Sequence, residues 1–183
     1  MSDNFRVLGV GGAGINAVKA LGYRNSIYLD SQSYDSLEGI KEFLTRTSRN
    51  EKVVVVSSPA GEFSSAVLET VCNALNSNGD SVFLIGIMPF HSESPERKRR
   101  GDAILRNLRK AVDSTAIVEN ENFASSMREY SWTQVLARIN DHVADLVKGF
   151  VTLGGNQFSP TSHELVVTGR SSEYSPAVHT VSN

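Results

Sequence analysis

Short apolar runs alternate along the chain with segments of helical periodicity. Each run is bounded by polar or glycine-containing residues, as buried strands are. Strands are predicted at Phe5–Val10, Ser26–Leu29, Lys52–Val56, Ser81–Met88 and Thr115–Val118. Strands that alternate with helices pair in parallel through right-handed crossovers. The pattern therefore predicts an α/β, Rossmann-like three-layer domain with a mostly parallel sheet.

A long helix is predicted after the last of these strands, because apolar residues recur there at steps of three and four. The stripe consists of Trp132, Val135, Leu136, Ile139, Val143, Leu146, Val147 and Phe150. The composition then changes to glycine, serine, threonine and proline, with too little apolar surface to offset ordering entropy. We expect a domain over residues 1–151 and a mobile Ser/Thr-rich tail over 152–183, with a short strand at Leu165–Thr168.

Composition narrows the classes of function. A chain of 183 residues with a net charge of −2 fits one domain and argues against a general nucleic-acid binder. Cys72 is the only cysteine, which excludes an internal disulfide, and the histidines lack metal-ligand spacing. No metal site is predicted. The first residues show neither a leader peptide nor a membrane span, so a cytoplasmic setting is expected.

The loop that begins at Gly9 carries the strongest chemical signal. It follows the first predicted strand, opens a helix, and reads Gly9-Val10-Gly11-Gly12-Ala13-Gly14-Ile15-Asn16-Ala17-Val18. Its glycines allow close approach of the backbone to a phosphate, which the helix N-terminus attracts. The spelling also fits a dinucleotide fingerprint, with Asp30 placed to bind a ribose. The alternative without a ligand is a tight turn between a strand and a closely packed helix.

Four segments together resemble the FtsZ branch of the FtsZ/tubulin superfamily. The first loop is similar to that family's GVGGxGxNAV, and the segment from Met88 to Arg97 is similar to KPFxFEGxxR. Val112-Asp113-Ser114 resembles HVDS, and Asn120-Glu121 resembles ND. The resemblance covers roughly residues 5–150 and implies a divergent, truncated FtsZ-like nucleotide-binding domain.

The resemblance implies a nucleotide pocket for GTP or GDP. Its expected residues are Gly11, Gly12, Ala13, Gly14, Asn16, Gly61, Ser64, Ser65, Glu93, Arg97 and Asn120. Among them, Glu93 stands where the family contacts the ribose, and Arg97 where it contacts the base or ribose. The expected partner is an FtsZ-type filament protein or a second copy of the chain.

The chain departs from the family after the third predicted strand. The family has GGGTGTG there, whereas this chain has Ala60-Gly61-Glu62-Phe63-Ser64-Ser65-Ala66. Phe63 places a ring where close backbone approach needs a small residue. An inward Glu62 carboxylate would repel a phosphate by about 4 kcal/mol per charge pair. Alternatively, Glu62 points to solvent while Ser64, Ser65 and the helix N-terminus still bind an anion.

Other family features are missing. The segment Ser33–Glu51 lacks the family's glycine-rich loop, and no second domain with the acidic motif NxDxxD follows. On the long helix, Thr133-Gln134 replaces the family's Asn-Asp pair, which contains the residue that recognises guanine. Tyr130 or Trp132 remains available to stack on a base. No catalytic residue is therefore assigned. We expect an FtsZ-like cytoskeletal or cell-division protein that binds or regulates FtsZ-type filaments without hydrolysing GTP. The alternatives are an active GTP-binding module with an altered phosphate loop and an NAD-binding Rossmann protein.

A basic run lies just after the second family motif. Arg97-Lys98-Arg99-Arg100 is followed on the same predicted helix by Arg106, Arg109 and Lys110. These charges suit either an acidic partner or the solvated face of an amphipathic helix. Because the whole chain is slightly acidic and no aromatic residues interleave with them, the second interpretation is favoured, with Arg97 alone turned toward the nucleotide.

Overall fold

The computed structural model describes residues 5–47, 50–153 and 164–168. In chain order the elements are β1 Phe5–Val10, α1 Gly11–Leu21, β2 Ser26–Leu29, α2 Leu37–Thr47, β3 Lys52–Ser57, α3 Glu62–Ser77, β4 Ser81–Met88, α4 Pro95–Leu108, β5 Ser114–Glu119, α5 Asn120–Ser126, α6 Trp132–Leu153 and β6 Glu164–Thr168. The predicted strands agree with β1 to β5 to within a residue at each end. The short helix α5 was not predicted.

The strands form one sheet in the order β2-β1-β3-β4-β5-β6. The first five are parallel, and β6 pairs antiparallel with β5. The α/β fold with a mostly parallel sheet is thus confirmed. So is the short strand expected at Leu165–Thr168, which adds an edge to the sheet. The boundary at residue 151 stays a prediction, and the rest of the expected tail lies outside the described residues.

Helices cover both faces of the sheet. β3 shows why both faces are apolar: Val54 and Val56 pack toward α1, α5 and α6, while Val53 and Val55 pack toward α2, α3 and α4. All four valines are completely buried. A strand covered on both sides needs a continuous apolar run instead of an alternating one.

Helix α6 is the long packed C-terminal helix that was predicted, and it packs along the α1 side of the sheet. Six residues of its stripe are buried, namely Val135, Ile139, Val143, Leu146, Val147 and Phe150. The expectation was wrong for Trp132 and Leu136, which are 53% and 45% exposed. Trp132 is the first residue of the helix, and Leu136 lies on the flank of the stripe. In the described part of the chain, no helix is long and apolar enough to cross a membrane.

The strand order changes direction between β1 and β3. From these two neighbouring strands the chain leaves into α1 on one face and α3 on the other. In open α/β sheets, ligands bind in the crevice that forms at the carboxyl ends of such a strand pair. α1 lies tight against this point, because a Cβ at Gly14 would stand 2.1 Å from the carbonyl oxygen of Val56.

Candidate nucleotide-binding site

The β1–α1 loop forms one wall of the crevice. Gly11 begins α1 with φ of +71°, a left-handed conformation that favours glycine. A Cβ at Gly12 would meet nothing within 4 Å, so the backbone there is open to a ligand. The helix N-cap, Val10, makes no side-chain capping bond, and the first turn holds no acidic residue. The N-terminus of α1 therefore keeps N–H groups and positive potential for an anion.

Two serine hydroxyls cross the crevice and bind the same carbonyl oxygen. Ser64 Oγ donates to Val10 O at 3.2 Å, and Ser57 Oγ donates to it at 3.0 Å. Both serines are buried, with Ser64 only 2% exposed. The Ser64 hydroxyl, expected to face an anion, thus links α3 to the end of β1 in this structure. Ser57 was missed, although a serine that ends an otherwise apolar buried strand is a usable signal.

The β3–α3 loop forms the opposite wall. Helix α3 begins at Glu62 with Gly61 as its N-cap, and no side chain caps it. Ser65 Oγ donates to the carbonyl oxygen of Glu62 at 3.0 Å, within the helix. Glu62 is exposed, which favours the solvent-facing alternative for its side chain. A carboxylate in the first helical turn still adds negative charge where α3 would otherwise attract a phosphate.

Phe63 and Arg100 differ from their predicted roles. The Phe63 ring packs against the core on the α2, α3 and α4 side, because its apolar surface is better buried there than in the crevice. Arg100, expected on a solvated face, donates to the carbonyl oxygen of Ala60 at 2.9 Å. A Cβ at the neighbouring Gly101 would stand 3.3 Å from the Ala60 Cβ, so α4 lies close to the β3–α3 loop.

Glu93, in the β4–α4 loop, lies next to Arg97, in the first turn of α4. Glu93 Oε1 accepts the N–H of Phe90 at 3.0 Å, and Oε2 pairs with the Arg97 guanidinium. Ser94 caps α4 by accepting the Arg97 N–H at 3.3 Å. The two residues predicted to contact the ribose and the base therefore lie side by side, and their opposite charges neutralise each other. Both side chains remain partly exposed, at 28% and 42%, so a ligand can reach them.

The start of α6 forms a capping box. The N–H and the Oγ of Ser131 both donate to Gln134 Oε1, each at 2.9 Å, and Ser131 Oγ accepts the Gln134 N–H at 3.4 Å. This reciprocal arrangement follows from the spelling S-x-x-Q, which sequence analysis overlooked. The ring of the next residue, Trp132, lies 4.5 Å from the Phe90 ring, between centroids.

Three other predicted residues lie at the same edge of the sheet. Asn16 is exposed on α1. Asn120, at the start of α5, is 8% exposed, and its Oδ1 has no hydrogen-bond partner among the described residues. Asp30 accepts the N–H groups of Gln32 and Ser33 at 3.0 and 2.8 Å. Hydrogen bonds, that of the Ser33 side chain foremost, hold the pKa of the Asp30 carboxyl below its usual value. This carboxylate is thus engaged in its own turn, which does not favour the NAD interpretation.

The site as a whole is a row of loops along the carboxyl edge of the sheet. Neighbouring strands lie about 4.8 Å apart, so the loops after β1 and β4, with β3 between them, are separated by about 10 Å. An open helix N-terminus at one end and a Glu–Arg pair with two aromatic rings at the other suit a phosphate and a nucleoside. In the part of the chain that the structure describes, no group of three or more His, Cys, Asp or Glu side chains is placed to hold a metal.

This architecture is the FtsZ/tubulin-like fold, and solved structures establish the likeness. An empty FtsZ dimer from M. jannaschii matches with a TM-score of 0.67 and 18% identity, over 84% of this chain and 55% of that one. A tryptophan-to-tyrosine FtsZ variant from the same organism matches with a TM-score of 0.66 and 17% identity, over 81% and 56%. CetZ from Methanosaeta thermophila gives 0.66 and 17%, over 80% and 54%.

At 17–18% identity, these structural matches show the fold alone. The chain spans a little over half the length of the structures that it matches. No protein-family model and no curated protein matches the sequence. The fold that the sequence motifs implied is confirmed.

Proposed function

We propose that this chain is an FtsZ-like cytoskeletal module that binds a nucleotide without completing GTP hydrolysis and regulates or caps an FtsZ-type filament. The observation that carries the proposal is the asymmetry of the crevice. The N-terminus of α1 is open and free of acidic side chains, whereas α3 begins with Glu62. One wall therefore attracts phosphate while the other limits how much negative charge the crevice accepts.

The asymmetry supports binding of a diphosphate over a triphosphate. Each added phosphate brings negative charge toward α3, where the Glu62 carboxylate repels it. The Ser64 hydroxyl does not compensate, because it donates its hydrogen bond to the carbonyl oxygen of Val10. The β3–α3 loop also has a single glycine, Gly61, so less bare backbone is available to surround a terminal phosphate. Hydrolysis needs the terminal phosphate to be held and an attacking water to be oriented.

A filament is the proposed partner because the fold matches subunits of filament-type proteins, one of them solved as a dimer. A module with this fold can present the nucleotide-bearing edge of its sheet to a neighbouring subunit. Because the module would not hydrolyse GTP, it would stay bound to the neighbouring subunit instead of dissociating after hydrolysis. Growth of the filament would then be slowed or stopped at the subunit that carries it.

Co-sedimentation tests the filament role. Purified full-length chain is mixed with FtsZ from the same organism and GTP, and the pellet is compared with a mixture lacking GTP. We expect the chain to pellet with the polymer and to change its rate of GTP turnover at substoichiometric ratios. If it stays in the supernatant and turnover is unchanged, the filament role is wrong.

Calorimetry and phosphate release test the nucleotide role separately. We expect GDP to bind more tightly than GTP, and no phosphate release from GTP by the chain alone. Tight GTP binding with sustained release would instead favour the second candidate, an active GTP-binding module, for which the open α1 N-terminus also argues.

A further inference from the structure

We infer that the basic run at the start of α4 holds the loops of the nucleotide crevice in place, with Arg100 as a positioning residue for its phosphate end and Lys98 for its base end. This inference rests on the proposed nucleotide binding and adds residues that act at the same site through their neighbours. It starts from the directions in which four consecutive cations, Arg97 to Arg100, leave the helix.

Three of the four cations lie on the side of α4 that faces the core. Successive residues of an α-helix are rotated by about 100°, so Arg97, Lys98 and Arg100 share an arc of about 160°. Arg99 lies on the opposite side of the helix. The shared arc continues the stripe of residues that are buried or packed against the core further along α4, namely Gly101, Ile104, Leu105 and Leu108. The basic run is therefore not a uniformly solvated face.

Arg100 contacts the loop at the phosphate end of the crevice. Its Nη2 donates to the carbonyl oxygen of Ala60 at 2.9 Å. Ala60 is completely buried and precedes Gly61, the N-cap from which α3 begins. A hydrogen bond from a charged donor is stronger than one from a neutral donor, so this contact restrains the backbone at Ala60. Arg100 thereby fixes how the first turn of α3 meets the crevice.

Lys98 contacts the opposite end of the crevice. Its Nζ lies 3.3 Å from Oε2 and 3.4 Å from Oε1 of Glu119. Glu119 is the last residue of β5 and the N-cap of α5, which begins at Asn120. The Asn120 side chain is 8% exposed, and its Oδ1 has no hydrogen-bond partner among the described residues. Lys98 therefore restrains the residue that precedes a predicted nucleotide contact.

Arg97 and Arg99 differ in the same way. Arg97 joins α4 to the loop between these two ends, through its pair with Glu93. One helix thus holds the loops that follow the neighbouring strands β3, β4 and β5. Arg99 instead pairs with Glu96, one turn earlier on the same helix, and both side chains are 73% exposed. An exposed pair within one helix contributes little, so Arg99 is a matched control.

The experiment compares two nucleotides that differ by one phosphate. GDP binding is measured by calorimetry, and GMP binding by displacement of GDP, in the native chain, Arg100→Met, Lys98→Met and Arg99→Met. Each variant removes one positive charge and keeps an unbranched side chain. We expect Arg100→Met to weaken GDP by about tenfold and GMP by less than about threefold, because the second phosphate lies nearer to α3. Lys98→Met should weaken both by the same factor of about threefold, and Arg99→Met should change neither.

Three results overturn the inference while the proposed function stands. They are equal losses of GMP and GDP affinity in Arg100→Met, similar losses in Arg99→Met, and unchanged affinities in both Arg100→Met and Lys98→Met. Urea unfolding of each variant separates a loss of binding from a loss of folding, and Arg100→Gln gives the same comparison if Arg100→Met does not fold. If the native chain does not bind GDP, the proposed nucleotide binding is wrong, and this inference is wrong with it.

Discussion

The buried hydroxyl of Ser64 donates to the carbonyl oxygen of Val10 across the crevice between β1 and β3. Val10 ends the strand that leads into the glycine loop, and Ser64 lies in the first turn of α3. The two walls of the candidate site are therefore joined by a direct bond. Ser57 reinforces the link by donating to the same oxygen.

Ser64→Ala should lower the free energy of unfolding by about 1 kcal/mol, the net worth of one buried hydrogen bond. Ser57→Ala should cost a similar amount, since Val10 O keeps the other donor in either single variant. The double variant should lose more than the sum, because the oxygen then loses both hydroxyls. Urea unfolding of the four proteins measures this, and strict additivity would contradict a shared acceptor.

Gly14→Ala and Gly12→Ala form a matched pair in the glycine loop. A Cβ at Gly14 would stand 2.1 Å from the Val56 carbonyl oxygen, a backbone atom that cannot move aside, whereas a Cβ at Gly12 meets open space. We expect Gly14→Ala to cost at least about 2 kcal/mol in unfolding free energy. Gly12→Ala should be neutral or stabilising by less than about 1 kcal/mol. Equal effects would show that α1 does not pack as tightly as described.

Glu62→Gln should tighten GTP binding by about fivefold at low salt, and GDP binding by less. The reason is that the exposed carboxylate at the start of α3 opposes the phosphate nearest to it. Glu69→Gln is the control, since Glu69 is exposed on the same helix about two turns further on. Calorimetric titrations at two salt concentrations measure the effect. Similar changes in both variants would mean that net charge, and not position, governs affinity.

Cys72 should be unreactive in the native protein. Burial raises the pKa of its thiol from 9.0 to about 12, because desolvation penalises the thiolate. Labelling with a thiol reagent at pH 8 should therefore be slow without urea and fast with it. Rapid labelling of the folded protein would show that Cys72 is accessible.

The same pKa shift predicts a loss of stability at high pH. The folded state disfavours the thiolate, so the contribution of Cys72 is complete below about pH 9 and is lost as the pH rises toward 12. The difference in unfolding free energy between the native chain and Cys72→Ala should therefore shrink over this range. A constant difference would contradict the shift.

The layered architecture of this protein could be predicted from the order of its residues. The apolar run Val53–Val56 suited a central strand covered on both faces, and the glycines from Gly9 to Gly14 predicted a loop between a strand and a helix. These features depend on local periodicity and on residue size, which act over a few neighbouring positions. The motif from Met88 to Arg97 likewise placed Glu93 and Arg97 four residues apart, and the structure pairs them across the loop and the first turn of α4.

The contacts of the site residues, by contrast, depend on the three-dimensional fold. Ser64 binds Val10, 54 positions away in sequence, and Arg100 binds Ala60, 40 positions away. Such bonds form because the sheet brings distant loops together, so they cannot be predicted from the spacing of residues along the chain. The exposure of aromatic side chains was also set by the fold. Phe63 packs against the core, whereas Trp132, at the start of α6, is exposed beside Phe90.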